Sequence, residues 1–313
     1  MYSTVSNSTP SSRAMATALV ELFQLGLWKM VTAAITANGS PCDGTVGPMS
    51  SSMDGICDDL AAETADLVAI LTPLTAEQWD LPTPADGWSI RDQVSHLAYF
   101  DETGTLAATD ADAFVESAKA LMANASGVDV ATERGRAMSA AGVFEWFTTV
   151  RAQMIEVFRD LDAKTRLPWY GPAMSAMSFA TARLMETWAH GQDVVDTLGM
   201  PRPATDRLRH VAHIGVRARP FAYATNGREL PAGEIGVTLT SPSGEVWSWN
   251  EGITSDTVTG PALDFCLVVT QRRHPADTAL VVSGPLAEDW IGIAQAFAGP
   301  PGTGRQPGQF AGV

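Results

Sequence analysis

Cysteine is scarce in this chain. Three residues, Cys42, Cys57 and Cys266, are spread over 313 positions. So few, so far apart, argue against a disulfide framework and a zinc–thiolate cluster, and they fit a reducing cytoplasm. Positive charge is also in short supply. Lys and Arg total 20 against 35 Asp and Glu, a formal charge of −15. Without a basic excess, neither nucleic acid nor an acidic membrane surface is an expected partner. A long apolar run free of charge is missing as well. The stretch AMATALVELFQLGLWKMVTAAITA carries Glu21 and Lys29, which speaks against a membrane span and spoils a secretory signal. There is no Gly-rich phosphate loop, no Gly-x-Ser-x-Gly elbow and no internal repeat.

What is present is a normal globular balance, 45% hydrophobic and 18% charged, in a length that suits two domains. Residues 1–52 differ from the rest in being rich in Ser, Thr and Gly around that one apolar run. They read as a disordered or misannotated extension, with the fold beginning at Met53. From there MDGICDDLAAETADLVAILTPL places Ile56, Leu60, Leu67, Ile70, Leu71 and Leu74 at helical spacing. SIRDQVSHLAYFDETGTLAAT opens with Ser89 as an N-cap and has Asp92 three later. ADAFVESAKALMA reads as a shorter helix, and AAGVFEWFTTVRAQMIEVFRDLDA as a long amphipathic one. A further helix should run from about Ser175 to Leu198, stopped by Gly199 and Pro201. Four principal helices over 53–200 predict a helical bundle. Residues 201–298 read as an α+β module: one helix over DRLRHVAHIGVRARPFAYATNG, a hairpin around SPSG, further strands at SDTVTG and TALVVSG, and helices at PALDFCLVVTQRR and PLAEDWIGIAQAF. The Gly/Pro-rich segment 299–313 is expected to be a flexible tail.

The chemistry concentrates in RLMETWAHGQDVVDTLG, residues 183–199. At 100° per residue Glu186, His190 and Asp193 fall within roughly 60° of one another, so they share a helix face. One carboxylate and one imidazole a turn apart can meet a single divalent ion. With Gln192 and Asp196 they could equally form a solvated polar face, opposite Leu184, Trp188, Val195 and Leu198. A second histidine, His96, lies in GWSIRDQVSHLAYFDE on another bundle helix. His96, Glu186 and His190 together make a His2Glu set that leaves a coordination position open. Asp193 is a candidate acceptor for an imidazole N–H. Asp101 and Glu102 read as surface residues closing the His96 helix, and Trp88 and Trp188 as core. His210 and His213 stand i, i+3, among Arg207, Arg209, Arg217 and Arg219, which would repel a cation but could receive an anion.

ADGWSIRDQVSHLAYFDE followed by ETWAHGQDVVDTLG resembles the DinB-like metal-binding superfamily, in the actinobacterial branch that includes mycothiol-dependent maleylpyruvate isomerase. The resemblance runs from about Met53 to Ala298. It implies a DinB-like four-helix bundle with metal ligands at His96, Glu186 and His190, followed by a smaller α+β domain of sterol-carrier-like fold. VTGPALDFCLVVTQRR resembles the helix of that second domain which ends in a functional arginine, here Arg272, with Arg273 as competitor. It further implies a divalent metal, zinc first, and mycothiol or a similar low-molecular-weight thiol as cosubstrate. The function expected is a thiol-dependent isomerase or S-transferase acting on a small electrophilic acid or conjugate. The alternative is a non-catalytic, metal-containing small-molecule or lipid-binding protein.

Overall fold

The computed structural model describes residues 52–123 and 130–310. The expected extension therefore lies outside the described residues except for Ser52, whose side chain caps the first helix by accepting from the Gly55 amide.

The helical half contains α1 (Met53–Leu71), α2 (Ala76–Trp79), α3 (Ile90–Thr109), α4 (Ala111–Ala123), α5 (Val130–Arg136), α6 (Ala140–Arg159) and α7 (Ala176–Leu198). Helix α3 packs against both α6 and α7, and α1 against the same two. The helix starts follow from their caps. Ser89 and Asp92 form a reciprocal capping box on α3, Ser139 caps α6, and Ser175 caps α7. Helix α7 stops where Gly199 takes φ 61, a left-handed turn that costs glycine little and a Cβ-bearing residue more. Two short helices were not read from the sequence. Helix α2 is four residues held by a Thr75–Gln78 capping box inside an otherwise Pro/Gly-rich connection. Helix α5 lies on α3, where Ser95 donates to the Ala131 carbonyl. A two-residue ladder, β1 (Arg166–Leu167) with β2 (Met174–Ser175), leads into α7.

The second half has α8 (Leu208–Arg217), α9 (Arg219–Thr225), β3 (Gly236–Thr240), β4 (Val246–Trp249), β5 (Thr257–Pro261), α10 (Ala262–Val269), β6 (Val281–Ser283) and α11 (Pro285–Ile291). The single helix expected over 206–227 is broken at Ala218. Pro220 has no N–H to continue the ladder but is well placed in the first turn of a new helix. The sheet is small and mixed, in the order β4-β3-β5-β6. β3 pairs antiparallel with β4 and parallel with β5, and β5 pairs antiparallel with β6. The α8–α10 contact is close: a Cβ on Gly215 would sit 2.7 Å from Val269 Cγ2.

Hydrophobic burial does not respect the sequence boundary at residue 200. One continuous core joins Leu60, Met154, Leu184 and Trp188 of the helical half to Leu208, Val211, Val237, Phe265 and Trp290 of the second. A second cluster, Leu67, Ile90, Val94, Leu97, Phe147 and Val194, fills the inside of the helical half alone. No helix among the described residues is long and apolar enough to cross a membrane.

Candidate metal centre

Helices α3 and α7 cross with His96 facing Glu186 and His190. One ligand atom from each of the three residues lies within 4.8 Å of the others. Glu186 Oε2 is 3.1 Å from His190 Nε2 and 3.6 Å from His96 Nε2. The imidazole rings are 4.5 Å apart between centroids. The site is thus built by an i, i+4 pair on α7 and one residue from the neighbouring helix.

The protonation pattern can be read from the network around it. Thr83 Oγ1 donates to the Trp88 carbonyl at 2.8 Å and accepts from Gln93 Nε2 at 2.8 Å. That fixes the Gln93 amide so that its Oε1 meets His190 Nδ1. The Nδ1 therefore carries a proton, assigned from the network, and Nε2 is the atom that shares either a proton or a cation with the Glu186 carboxylate. Burial pushes His96 down to about 4, helped by His190 and opposed by Glu186. Burial raises Glu186, but hydrogen bonds and charge from His190 and His96 outweigh it and hold the carboxyl well below its ordinary range. Without a proton between them, the three groups present electron pairs from two nitrogens and one carboxylate. Donors of this kind attract a cation or a proton between them, and N/O sets of this composition suit a divalent ion.

Aromatic rings surround the donors. Trp88 stacks on His190 with centroids 5.8 Å apart, and Phe100 lies 4.6 Å from His96. Phe100 continues the surface to Trp169 and Tyr170. Trp88 is only half-buried and belongs to the site, not to the core where the sequence reading put it, whereas Trp188 is buried in the core as expected.

Behind the donors lies a second buried cluster that the sequence reading assigned to the surface. Asp101 is fully buried in the middle of α3, which runs on to Thr109. It accepts from Arg151 Nε at 2.7 Å and from Arg183 Nε at 2.9 Å. Its neighbour Glu102 is half-buried and pairs with Arg134. Arg151 and Arg183 were not singled out from sequence. Arg183 lies one turn before Glu186 on α7, and its charge also reaches His96.

The polar face of α7 is buried as well. Asp193 is not bonded to an imidazole. Its two oxygens accept from Arg272 Nη2 at 2.7 Å and Arg305 Nη2 at 2.8 Å. Gln93 takes the place expected for Asp193 as the imidazole acceptor, and nothing in a sequence distinguishes that glutamine from a surface one. Arg273 grips Asp196 through two bonds of 2.7 and 2.8 Å. Arg272 thus stands one helical turn beyond His190, held by Asp193 and by the Thr270 carbonyl. His210 and His213 do not converge. His210 pairs with Asp59 at 2.8 Å, while His213 accepts from Trp249 Nε1 at 3.3 Å. Of the nearby arginines, Arg207 binds Glu63 and Asp66, and Arg219 binds backbone carbonyls of residues 231 and 233.

Fold and site together define a helix-rich protein with a small mixed sheet whose helical half carries a three-donor His2Glu cluster. The family model for the mycothiol maleylpyruvate isomerase N-terminal domain matches residues 60–195. Uncharacterized proteins MT0041 and Rv0036c, from two strains of Mycobacterium tuberculosis, are each 47% identical over 249 residues, covering 79% of this chain and 96% of theirs. The crystal structure of the mycothiol-dependent maleylpyruvate isomerase is similar in fold, with TM-score 0.50 at 15% identity over 71% of this chain and 90% of that one. A histidine-to-alanine mutant of that enzyme compares alike, with TM-score 0.50 at 14% identity. The chain belongs to the same family as MT0041 and Rv0036c, and its residues 60–195 belong to the mycothiol maleylpyruvate isomerase N-terminal domain family.

Proposed function

We propose that the chain is a metal-dependent enzyme that joins a low-molecular-weight thiol of the mycothiol type to a small electrophilic acid, as an isomerase or S-transferase. The observation that carries this reading is the convergence of His96, Glu186 and His190, with the Gln93 hydrogen bond leaving His190 Nε2 to face Glu186. This takes α1, α3, α6 and α7 as a DinB-type four-helix bundle and the second half as its sterol-carrier-like companion. His96 and His190 would hold the ion through Nε2, and Glu186 through a carboxylate oxygen. A divalent ion held there, zinc first, would supply the Lewis acidity that lowers the pKa of a thiol. Gln93 keeps His190 in the ligating tautomer. Trp88 and Phe100 screen the donors from water. Arg272 binds the anionic part of the substrate, its planar fork suited to a carboxylate. Both free cysteines among the described residues, Cys57 and Cys266, are buried, and burial pushes both thiols up, so neither supplies a ready nucleophile, which favours an external thiol.

The half-buried wall of Phe100, Trp169 and Tyr170 favours a second reading, a metal-containing protein that binds an apolar small molecule without turning it over. Steady-state turnover of an electrophilic acid with added mycothiol separates the two. The metal itself is tested by elemental analysis. The purified protein should carry one equivalent of a divalent ion, and His190→Ala should carry none. Equal metal in both would overturn the assignment.

A further inference from the structure

The Gly/Pro-rich C-terminal segment read as a flexible tail has defined contacts through residue 310. Gln295 Nε2 donates to the carbonyls of Gly299 and Pro300 at 3.1 and 3.3 Å. The Gly308 amide donates to Asp277, and the Phe310 ring lies under the Arg273 guanidinium at 4.2 Å. All these anchors lie on the second half of the molecule. Between them the segment carries Arg305 across to Asp193 on α7.

The cluster that results is short of acceptors. Arg272 and Arg305 both pair with Asp193, two cations on one fully buried carboxylate, and Asp196 is already taken by Arg273 in two bonds. The Nε of Arg272 and the Nε of Arg305 are buried with no hydrogen-bond partner among the described residues. An N–H buried without an acceptor costs about 1–3 kcal/mol. Nη1 of Arg272 is used by the Thr270 carbonyl. Nη1 of Arg305 makes no hydrogen bond and is not among the buried unpartnered atoms, so it is the accessible end of the pair. Asp193 follows His190 by three residues, roughly 4.5 Å along the helix axis.

We propose that this pair is an anion-binding fork and that Arg305, supplied by the C-terminal segment, is a specificity-determining residue that binds a carboxylate of the substrate together with Arg272. The proposal rests on the metal-site reading for where that carboxylate leads, since α7 carries both His190 and Asp193. A second carboxylate at Arg305 Nη1 would neutralise the surplus charge through a short charge-assisted bond. A purely structural strap would explain the Asp193 pairing alone. It would not need the segment's only arginine, because Gln295, Gly308 and Phe310 already anchor it from elsewhere.

The test uses the zinc-loaded full chain, with sodium maleate as the dicarboxylate probe and maleamide as its uncharged counterpart, in titration calorimetry. Maleate should bind and maleamide should not. Arg305→Gln should weaken maleate at least about tenfold, or about 1.4 kcal/mol, with a melting temperature near that of the parent. Arg305→Lys, which keeps the charge and loses the fork, should fall between. Equal maleate affinity in Arg305→Gln, or equal affinity of the parent for maleate and maleamide, would overturn the proposal. Should Arg305→Gln fail to fold, the parent decides: maleate, not maleamide, must protect Arg305 from phenylglyoxal, and lack of protection rejects it. Zinc content is measured on the same samples. One equivalent of zinc without maleate binding defeats this proposal alone, and maleate binding without stoichiometric zinc defeats the metal reading alone.

Discussion

Two ionic clusters, one buried and one half-buried, lie about one turn apart along α7, and they are opposite in what they lack. Around Asp101, two guanidiniums enclose one carboxylate, and the surplus is of donors: Arg151 Nη2 is buried without a partner. Around Glu186, two imidazoles meet one carboxylate, and the surplus is of lone pairs. The first cluster already contains its cations. The second is complete only when something positive enters it. A buried carboxylate is therefore not informative by itself; the protonation of its neighbours decides whether it braces the fold or waits for a ligand.

The sharpest way to break that contrast is at Asp101. Asp101→Asn leaves two buried guanidiniums facing a neutral amide, and removing one partner of a buried ion pair costs about 3–5 kcal/mol. At about 2–4 °C per kcal/mol for a chain of this size, the melting temperature should drop by roughly 10 °C. A drop no larger than that of a half-buried control such as Glu102→Gln would mean that Asp101 is not structural. Chelation acts on the other cluster. Stripping the metal should abolish thiol-dependent turnover, while the melting temperature falls by less than in Asp101→Asn, because bound ligand adds only about 2.7 kcal/mol at a hundredfold excess over Kd. Unfolding on chelation would make the metal structural. Gln93→Leu sharpens the comparison within the site. It removes the acceptor that sets the His190 tautomer and leaves all three ligands in place, so metal affinity should weaken about 10–100-fold in competition with a chelating dye. Unchanged affinity would remove Gln93 from the site.

A smaller effect belongs to the histidines that do not converge. Burial, with Arg217, His210 and Arg209 nearby, pushes His213 from an ordinary 6.5 down to about 4. The unfolded chain takes up this proton below about 6.5 and the folded one only near 4, so protonation favours unfolding. The contribution is constant above pH 6.5, and stability is lost as pH falls from 6.5 towards 4. Denaturant midpoints should decline over that window in the parent and decline less in His213→Gln. Parallel curves would show that His213 is protonated alike in both states.

These clusters also show what a sequence reader can and cannot see. The helices over 53–71, 90–109, 140–159 and 176–198 were legible because capping serines and 3.6-residue periodicity coincide there. Helix α5 was not, since VATERGR has too little apolar periodicity to announce itself. The grouping of His96, Glu186 and His190 was legible because the i, i+4 spacing fixes two donors on one face and the resemblance supplies the third. Gln93, Arg151 and Arg183 were not, because their roles exist only where α3, α6 and α7 meet. Asp193 was placed on the correct face with the wrong partner: Arg272 and Arg305 follow it by 79 and 112 residues, separations at which no local pattern operates.

Helix α7 has a further consequence for how such a protein can change over generations. Its 23 residues carry the Glu186–His190 pair, the brace on Asp101 and both carboxylates that grip Arg272 and Arg273. A single continuous core then runs from it into the sheet-bearing half. The two halves are therefore not cassettes. Grafting the second half of a distant relative onto this helical half would leave Asp193 and Asp196 buried without their arginines. Recombination at the boundary near residue 200 should yield insoluble protein unless α7 travels with the partner it was selected alongside.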